Sequence, residues 1–304
     1  MRIVVALGGN ALSVRGESLT AESQRASIRV AAASLAQLLE AGHEVVITHG
    51  NGPQVGYLAL QGGAFPLDVL GAETDGMIGY VLQQELDNAY APETHYATLL
   101  TQIEVDPDDP AFLAPTKFIG PIYTEEEAAK LSAERSWTMG RDGVHFRRTV
   151  PSPRPKRILE LGVIRLLLDQ GVVIICAGGG GIPVVQKDDG SMIGVEAVID
   201  KDHASGLLAR ALDADAFLML TDVAGVFTGW GTPDQSLIRQ ASPQELAQMS
   251  FPAGSMGPKV EAACEFATAT GGFAAIGRLA DTQSLVAGTT GTRICSDRNA
   301  PPAP

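Results

Sequence analysis

The amino-acid sequence predicts an α/β protein built on a layered, mainly parallel β-sheet. The spacing of its apolar residues switches repeatedly between unbroken runs, which are typical of strands buried on both faces, and stripes with the period of a helix. Glycine-bearing turns follow several of the apolar runs. Because strands that alternate with helices pair in parallel, we expect helices to pack on a shared sheet.

The strands and helices can be assigned in chain order. The predicted elements are a strand at 3–7, a helix capped by Thr20 and ended by Gly42, a strand at 45–48, a helix with the stripe Ile78, Leu82 and Leu86, a strand at 96–102, a helix at 158–168, a strand at 172–176, a helix at about 201–212, a strand at 216–220 and a helix at 258–269. Two stretches interrupt this alternation. Residues of about 105–150 hold many prolines and an acidic run at 125–127 that suits a helix start, and we interpret them as an inserted flap over the sheet. Residues 182–195 are predicted to form a hairpin.

The domain organisation follows from this order of elements. Residues 1–296 are expected to form one domain, with an N-terminal lobe of about 1–200 and a C-terminal lobe of about 201–296. Residues 297–304 are predicted to be a disordered tail.

Charge and cysteine content exclude several classes of partner. The 304 residues include 22 Lys and Arg against 35 Asp and Glu, which gives a net charge of −13. An acidic surface repels nucleic acid and anionic lipid, so we expect neither as a partner. Cys176, Cys264 and Cys295 are scattered, which argues against a disulfide framework and favours a reducing, cytoplasmic location. No apolar run reaches the ~18 residues of a membrane span.

Four glycine-bearing turns follow predicted strands and suggest a phosphate site. They are Gly8-Gly9-Asn10, Gly50-Asn51-Gly52, the quartet 178–181 and the turn at Gly225. Ligands of parallel sheets bind at the carboxyl ends of the strands, where backbone N–H groups and helix N-termini favour anions. One such turn alone is equally typical of a tight turn without a ligand, but several together favour an anion site. Neither the P-loop nor the dinucleotide fingerprint is present.

Three lysines are candidates for handling phosphoryl charge. Lys201 and Lys259 stand at predicted helix starts, and Lys117 lies in the proline-bounded flap segment. Each alone could be a solvated surface lysine, yet lysines at helix starts oppose the helix dipole. Positive groups that converge on a transferred phosphoryl group are what phosphoryl transfer requires. The histidines lack metal-ligand spacing, although His49 beside Gly50 could touch a ligand, and the cysteine and serine nucleophile signatures are missing.

Seven sequence blocks, taken together, resemble the carbamate kinases of the amino acid kinase family. The blocks are 4–11, 49–56, 115–117, 150–153, 176–185, 194–202 and 254–263. They follow the order of that family from residue 1 to about 296. The flap lysine, the Val-Pro-Ser-Pro block and the glycine quartet with Ile-Pro-Val-Val are the specific part of the resemblance.

The resemblance implies a fold and a reaction. The expected fold is a single open three-layer αβα sandwich with a small protruding subdomain, usually a homodimer. The expected activity is reversible phosphoryl transfer between MgATP and carbamate, giving ADP and carbamoyl phosphate, used to make ATP in the catabolism of arginine or other nitrogen compounds. Mg²⁺ would be bound mainly through the nucleotide phosphates, without a metal site of protein ligands.

The resemblance also implies roles for individual residues. The small substrate and the transferred phosphoryl group would be held by Gly8, Gly9, Asn10, Gly50, Asn51 and Gly52. Lys117 would reach in from the flap, Lys201 and Lys259 would contact the nucleotide phosphates, and Asp202 would orient the lysines as the fourth member of the catalytic set. The nucleotide pocket would also include Thr221, Asp222, Val226 and Met256.

Two alternatives remain at this stage. The first is a related kinase that phosphorylates another small carboxylate, which would not need the flap segment around Lys117. The second is a sensor of nucleotide or carbamoyl phosphate without turnover. The presence of Lys117, Lys201, Lys259 and Asp202 together argues against such a sensor.

Overall fold

The structure is a computed structural model that describes residues 1–9, 12, 20–61, 65–91, 93–252 and 254–296. Its strands are β1 (Arg2–Leu7), β2 (Glu44–His49), β3 (Tyr96–Thr98), β4 (Gln102–Val105), β5 (Lys117–Tyr123), β6 (Thr138–Asp142), β7 (His145–Val150), β8 (Pro155–Ile158), β9 (Val173–Ile175), β10 (Ile182–Gln186), β11 (Met192–Gly194), β12 (Ala216–Thr221), β13 (Phe227–Thr228), β14 (Ser236–Leu237), β15 (Gln240–Ala241), β16 (Phe273–Arg278) and β17 (Thr292–Ile294). Its α-helices are α1 (Ala21–Glu40), α2 (Gly52–Leu60), α3 (Leu67–Ala89), α4 (Glu125–Arg135), α5 (Leu161–Leu168), α6 (Lys201–Ala211), α7 (Pro243–Leu246), α8 (Met256–Thr270) and α9 (Thr282–Val286).

One large sheet organises the part of the chain that the structure describes. Its strand order is β15-β17-β16-β12-β1-β2-β9-β3, and every neighbouring pair is parallel except β16 with β17. The central strand β1 places Val4 between Phe217 of β12 and Val46 of β2. The predicted mainly parallel sheet is therefore confirmed.

Helices cover both faces of this sheet. Alternate residues of β1 face opposite sides, since Val4 belongs to one apolar core and Val5 to the other. The core with Val5 includes residues of α1, α3 and α9, such as Ile28 and Leu82. The core with Val4 includes residues of α5, α6 and α8, such as Phe266. Helix–sheet–helix packing confirms the three-layer sandwich.

Two predicted elements differ from the structure, one in its number of strands and one in its first residue. The strand predicted at 96–102 is wrong as a single element, because β3 pairs with β9 in the large sheet whereas β4 pairs with β10 and β8 in a second sheet. The chain passes from one sheet to the other between them. The helix predicted at 158–168 begins at Leu161, since Ile158 ends β8 and pairs with Ile103.

The flap contains strands that the sequence analysis did not predict. β5, β7 and β6 form a separate antiparallel sheet, with α4 in the connection between β5 and β6. Thr124 caps α4 and forms a capping box with Glu127, so the acidic run 125–127 is the first turn of this helix. The predicted hairpin is present as β10 and β11.

The division into lobes stays a prediction, and the predicted tail 297–304 lies outside the described residues. Among the helices that the structure describes, none combines the length and the apolar character needed to cross a membrane. Cys176, Cys264 and Cys295 form no disulfide in the described part of the chain.

Candidate active site

The first two glycine turns meet at the carboxyl ends of β1 and β2. The backbone N–H of Gly8 donates to the carbonyl oxygen of Leu220 at 2.8 Å, and that of Gly50 donates to Leu7 at 3.1 Å. A Cβ atom added to Gly8 would lie 2.9 Å from the Leu220 oxygen, so a side chain does not fit there. A Cβ atom on Gly50 would lie 3.4 Å from the backbone nitrogen of Gly9. The structure thus brings Gly8, Gly9 and Gly50 together.

Asn51 and Gly52 form the entry to helix α2. Asn51 occupies the N-cap position without a side-chain bond to the helix, and Gly52 is the first helical residue. The Asn51 amide instead donates to Thr74 Oγ1 at 2.8 Å. The first N–H groups of α2 therefore lack a side-chain cap and, with the positive end of the helix dipole, favour an anion.

The quartet 178–181 packs against the second glycine turn. A Cβ atom on Gly178 would lie 2.5 Å from Cε1 of His49 and 2.6 Å from Oδ1 of Asp75. One on Gly179, whose φ of +64° already favours glycine, would overlap the side chain of Asn51. Only glycines allow this approach, and the close packing fixes the position of Asn51.

Two lysines share one buried carboxylate. Lys201 Nζ donates to Oδ1 of Asp202 at 2.6 Å, and Lys259 Nζ donates to Oδ2 at 2.8 Å. The side chains of Lys201, Lys259 and Asp202 are only 11%, 13% and 5% exposed. Lys201 also lies against the glycine turns, since a Cβ atom on Gly50 would be 3.2 Å from its Cδ. The cations from the first turns of α6 and α8 thus meet beside the candidate anion site.

The third lysine reaches this cluster from the flap. Lys117 Nζ forms an ion pair with Oδ2 of Asp200. Asp200 is the N-cap of α6, and its Oδ1 accepts the backbone N–H of Asp202 at 2.9 Å. Three ammonium groups and two carboxylates leave one net positive charge, which suits a phosphoryl group.

Burial and charge oppose each other in the pKa values of this cluster. Burial lowers the pKa of Lys201 to about 8, with the charge of Lys259 adding to the effect and Asp202 opposing it. Burial also disfavours the charge of Lys259, but Asp202 outweighs it and raises the pKa of Lys259. Burial would raise the pKa values of Asp200 and Asp202, yet the neighbouring lysines lower both. The carboxylates therefore stay ionised, and Lys201 titrates closest to neutral pH.

The structure shows the surroundings of most of the remaining predicted residues. The Cα atom of Thr221 would be 3.7 Å from a Cβ atom on Gly8, and Thr221 Oγ1 donates to Asp222 Oδ1 at 3.0 Å. Val226 is fully buried and donates its backbone N–H to Thr292 Oγ1 at 2.8 Å. Met256 is partly buried at the start of α8. Asn10 lies outside the described residues. The roles of all these residues remain predictions.

Two further buried groups lie beside the site: Asp75, which the sequence did not indicate, and His49, which the sequence indicated as a possible ligand contact. Asp75 is 3% exposed, and both its carboxylate oxygens lack a hydrogen-bond partner among the described residues. Asp75 lies on the same face of α3 as Ile78 and Leu82, so helical periodicity could have indicated its burial. His49 Nδ1 contacts the carbonyl oxygen of Gly50 at 3.2 Å, and burial lowers its pKa to about 4. His49 is therefore neutral at physiological pH.

The described residues contain no group of three or more His, Cys, Asp or Glu side chains arranged to hold a metal ion. Both carboxylate oxygens of Asp202 accept lysine hydrogen bonds. Binding of Mg²⁺ mainly through the nucleotide phosphates stays a prediction.

Comparisons with known proteins agree with this geometry. The sequence profile of the amino acid kinase family matches residues 1–272. A carbamate kinase of Rhizobium meliloti strain 1021 is 55% identical, over 97% of this chain and 94% of its own length. A carbamate kinase of Haemophilus influenzae is also 55% identical, over 97% of this chain and 96% of its own length. The solved structure of a Giardia lamblia carbamate kinase bound to AMP-PNP is 40% identical, with a TM-score of 0.88 over 97% of this chain and 98% of that one. The chain therefore belongs to the amino acid kinase family and, within it, to the carbamate kinases.

Proposed function

We propose that this protein catalyses reversible phosphoryl transfer between ATP and carbamate, giving ADP and carbamoyl phosphate. The observation that carries the proposal is the pairing of Lys201 and Lys259 on Asp202, directly beside the glycine turns of Gly8 and Gly50. Relatives that are 55% identical over nearly the whole chain bear the name carbamate kinase. They favour carbamate over another small carboxylate.

The chemistry needs charge and alignment more than proton transfer. A carbamate oxygen is already anionic, so it can attack phosphorus without a general base, and a neutral His49 is compatible with that. The uncapped N–H groups at the start of α2 would bind the transferred group. Lys201 and Lys259 would neutralise the nucleotide phosphates, and Lys117 would approach from the flap. Holding donor and acceptor in line while compensating charge is the main source of catalysis in such reactions.

The nucleotide is proposed to bind on the side of β12 and α8. Thr221 and Asp222 stand at the carboxyl end of β12, beside the turn of Gly8. Mg²⁺ would reduce the negative charge of the phosphates when bound with the nucleotide. Asp202 is available to orient the lysines rather than the metal, because both its oxygens accept lysine hydrogen bonds.

A comparison of phosphoryl donors tests the proposal. The wild-type protein is mixed with ADP and Mg²⁺ and with either carbamoyl phosphate or acetyl phosphate, and ATP is measured. We expect ATP from carbamoyl phosphate, with a kcat/KM at least about 10²-fold above that for acetyl phosphate. A preference for acetyl phosphate would point to another carboxylate kinase. Nucleotide binding without ATP from either donor would point to the sensor.

Assembly and location are also proposals. Val30 of α1 and Tyr80 of α3 are large apolar side chains that are about 60% exposed, at 61% and 58%, on two helices that pack together. A homodimer could cover them, and light scattering of the purified protein tests this assembly. The scattered cysteines, which form no disulfide in the described part of the chain, support the proposed cytoplasmic location.

A further inference from the structure

We propose that Gly56 is a positioning residue that sets how far Lys117 reaches into the active site. Gly56 lies one turn of α2 beyond Gly52. The same helix therefore carries the anion-binding turn at its start and contacts the flap in its middle. The flap strand β5 packs against Gly56 at Gly120. This inference rests on the proposed function, since it concerns the geometry of the same reaction.

The two glycines bring backbone against backbone. A Cβ atom built on Gly56 would overlap the Cα and nitrogen atoms of Gly120 and would lie 3.2 Å from the carbonyl carbon of Ile119. A Cβ atom built on Gly120 would lie 3.4 Å from the Cα atom of Gly56. Gly56 is buried, and Gly120 has a φ of +72°, which favours glycine. Even a methyl group on Gly56 would therefore displace β5 from α2.

The flap side of this contact is held firmly. The guanidinium of Arg147 in β7 donates from Nε and Nη2 to the carbonyl oxygen of Gly120, at 3.1 Å and 2.8 Å. The regular pairing of β5 with β7 breaks between Ile119 and Tyr123, so Gly120 lies at this irregularity, where the Arg147 side chain donates to its carbonyl oxygen. Ile119 is 1% exposed and belongs to an apolar cluster shared by α2, α3 and the flap. The strand around Gly120 cannot simply bend away from a new methyl group.

The displacement would be transmitted to Lys117. Lys117 begins β5, three residues before Gly120, which is about 10 Å of extended strand. Its ammonium group pairs with Asp200, the cap of the helix that carries Lys201 and Asp202. A shift of about 1 Å in a catalytic group can reduce the rate by about 10²-fold. The Gly56–Gly120 contact therefore controls whether the flap lysine joins the other cations.

A double-mutant cycle tests this role. Gly56→Ala is compared with Gly76→Ala, a matched control in the exposed part of α3 where an added Cβ would meet nothing within 4 Å. We expect Gly56→Ala to lower kcat/KM for ATP formation from carbamoyl phosphate by about 10²-fold, and Gly76→Ala to stay within about twofold of the wild type. In a Lys117→Ala background, Gly56→Ala should lower kcat/KM by less than about threefold, because the lysine through which it acts is already absent.

A second variant approaches the contact from the flap. Arg147→Gln removes the double donation to Gly120. Arg141→Gln serves as its control, since Arg141 is exposed in the same flap and, within the described residues, donates to Gly143 alone. Arg147→Gln should lower kcat/KM at least about tenfold in the wild type and little in the Lys117→Ala background. If Gly56→Ala does not fold, the comparison of Arg147→Gln with and without Lys117 tests the positioning role by itself.

The outcomes separate this inference from the proposed function. An inactive wild-type protein contradicts the proposed function itself. An active wild type whose Gly56→Ala variant keeps its rate contradicts only the positioning role. A fall in kcat/KM of equal size with and without Lys117 would also contradict only the positioning role. It would mean that Gly56→Ala acts through α2 and its anion-binding turn.

Discussion

Lys259 donates a hydrogen bond from Nζ to Oδ2 of Asp202 at 2.8 Å, although the two residues are 57 positions apart in the sequence. Lys201 occupies the other oxygen of the same carboxylate. Both lysines stand in first turns of helices, where the dipole disfavours a cation. Asp202 therefore compensates two unfavourably placed charges, and one of them, Lys201, lies against the glycine turn of Gly50.

Replacing Asp202 with Asn should impair both stability and catalysis. The amide keeps the shape of the side chain but leaves two buried ammonium groups without their counter-charge. We expect a loss of about 3 kcal/mol in the free energy of unfolding and a fall in kcat of about 10²-fold. Denaturant unfolding and steady-state rates measure the two effects. Asp188→Asn, in the exposed turn between β10 and β11, should change neither. A D202N rate within threefold of the wild type would contradict the orienting role.

The activity should fall at alkaline pH because Lys201 loses its charge. Burial lowers its pKa to about 8, so the ammonium form is present below pH 8 and disappears as the pH rises through that value. We expect kcat/KM, which reports the free enzyme, to decline above about pH 8. In Lys201→Arg the group stays charged, so the decline should move to higher pH even where the rate is lower. A wild-type profile that stays flat to pH 9.5 would rule out Lys201 as the titrating cation.

The glycine quartet should tolerate no side chain where it touches Asn51. Gly179→Ala adds a methyl group that overlaps the Asn51 side chain, at a residue with a φ of +64°. Gly190→Ala is a matched control, since Gly190 has a φ of +85° but open space around it. Both variants carry a backbone cost of about 1–2 kcal/mol. Only Gly179→Ala should also raise KM for carbamoyl phosphate, by about tenfold or more. Equal kinetics in the two variants would mean that Asn51 is not held by the quartet.

Asp75 should make stability depend on pH in an unusual direction. Burial raises the pKa of Asp75 well above its usual value, which is about 3.9 in an unfolded chain. Above that unfolded value the unfolded chain releases this proton while the folded protein keeps it, so the folded protein becomes less stable as the pH rises from the unfolded to the folded pKa. Asp75→Asn removes this titration. It should raise the free energy of unfolding by about 1 kcal/mol or more at pH 8 and by much less at pH 4. A loss of stability at pH 8 would instead show an ionised carboxylate with a partner.

Local sequence signals predicted β1, β2, β9 and β12 of the large sheet and several of its helices, but not β15, β16 and β17. Unbroken apolar runs marked β1, β2 and β12 because these strands are buried on both faces, and Thr20 marked the start of α1 through its cap. The flap strands escaped prediction because they are only half-buried. β6, for example, contains Arg141 and Asp142 and lacks a continuous apolar run.

The site could be predicted only in part for a different reason. Gly8, Gly50, Lys117, Lys201 and Lys259 stand out as residue types in chain order, but their convergence depends on parallel pairing of distant strands. The Asp200–Lys117 ion pair and the Gly56–Gly120 contact join the core to the flap across long separations. No local pattern encodes such contacts, so they required the folded structure.

The most direct test of the account is ATP formation from carbamoyl phosphate, ADP and Mg²⁺ by the wild type, Lys117→Ala and Lys130→Ala. Lys130 is a matched control, since it is an exposed flap lysine paired only with Glu134 in the described structure. We expect rapid ATP formation by the wild type and Lys130→Ala, and a fall of about 10²-fold or more in Lys117→Ala. A wild-type protein that forms no ATP, or a Lys117→Ala variant as fast as Lys130→Ala, would contradict a site completed by the flap lysine.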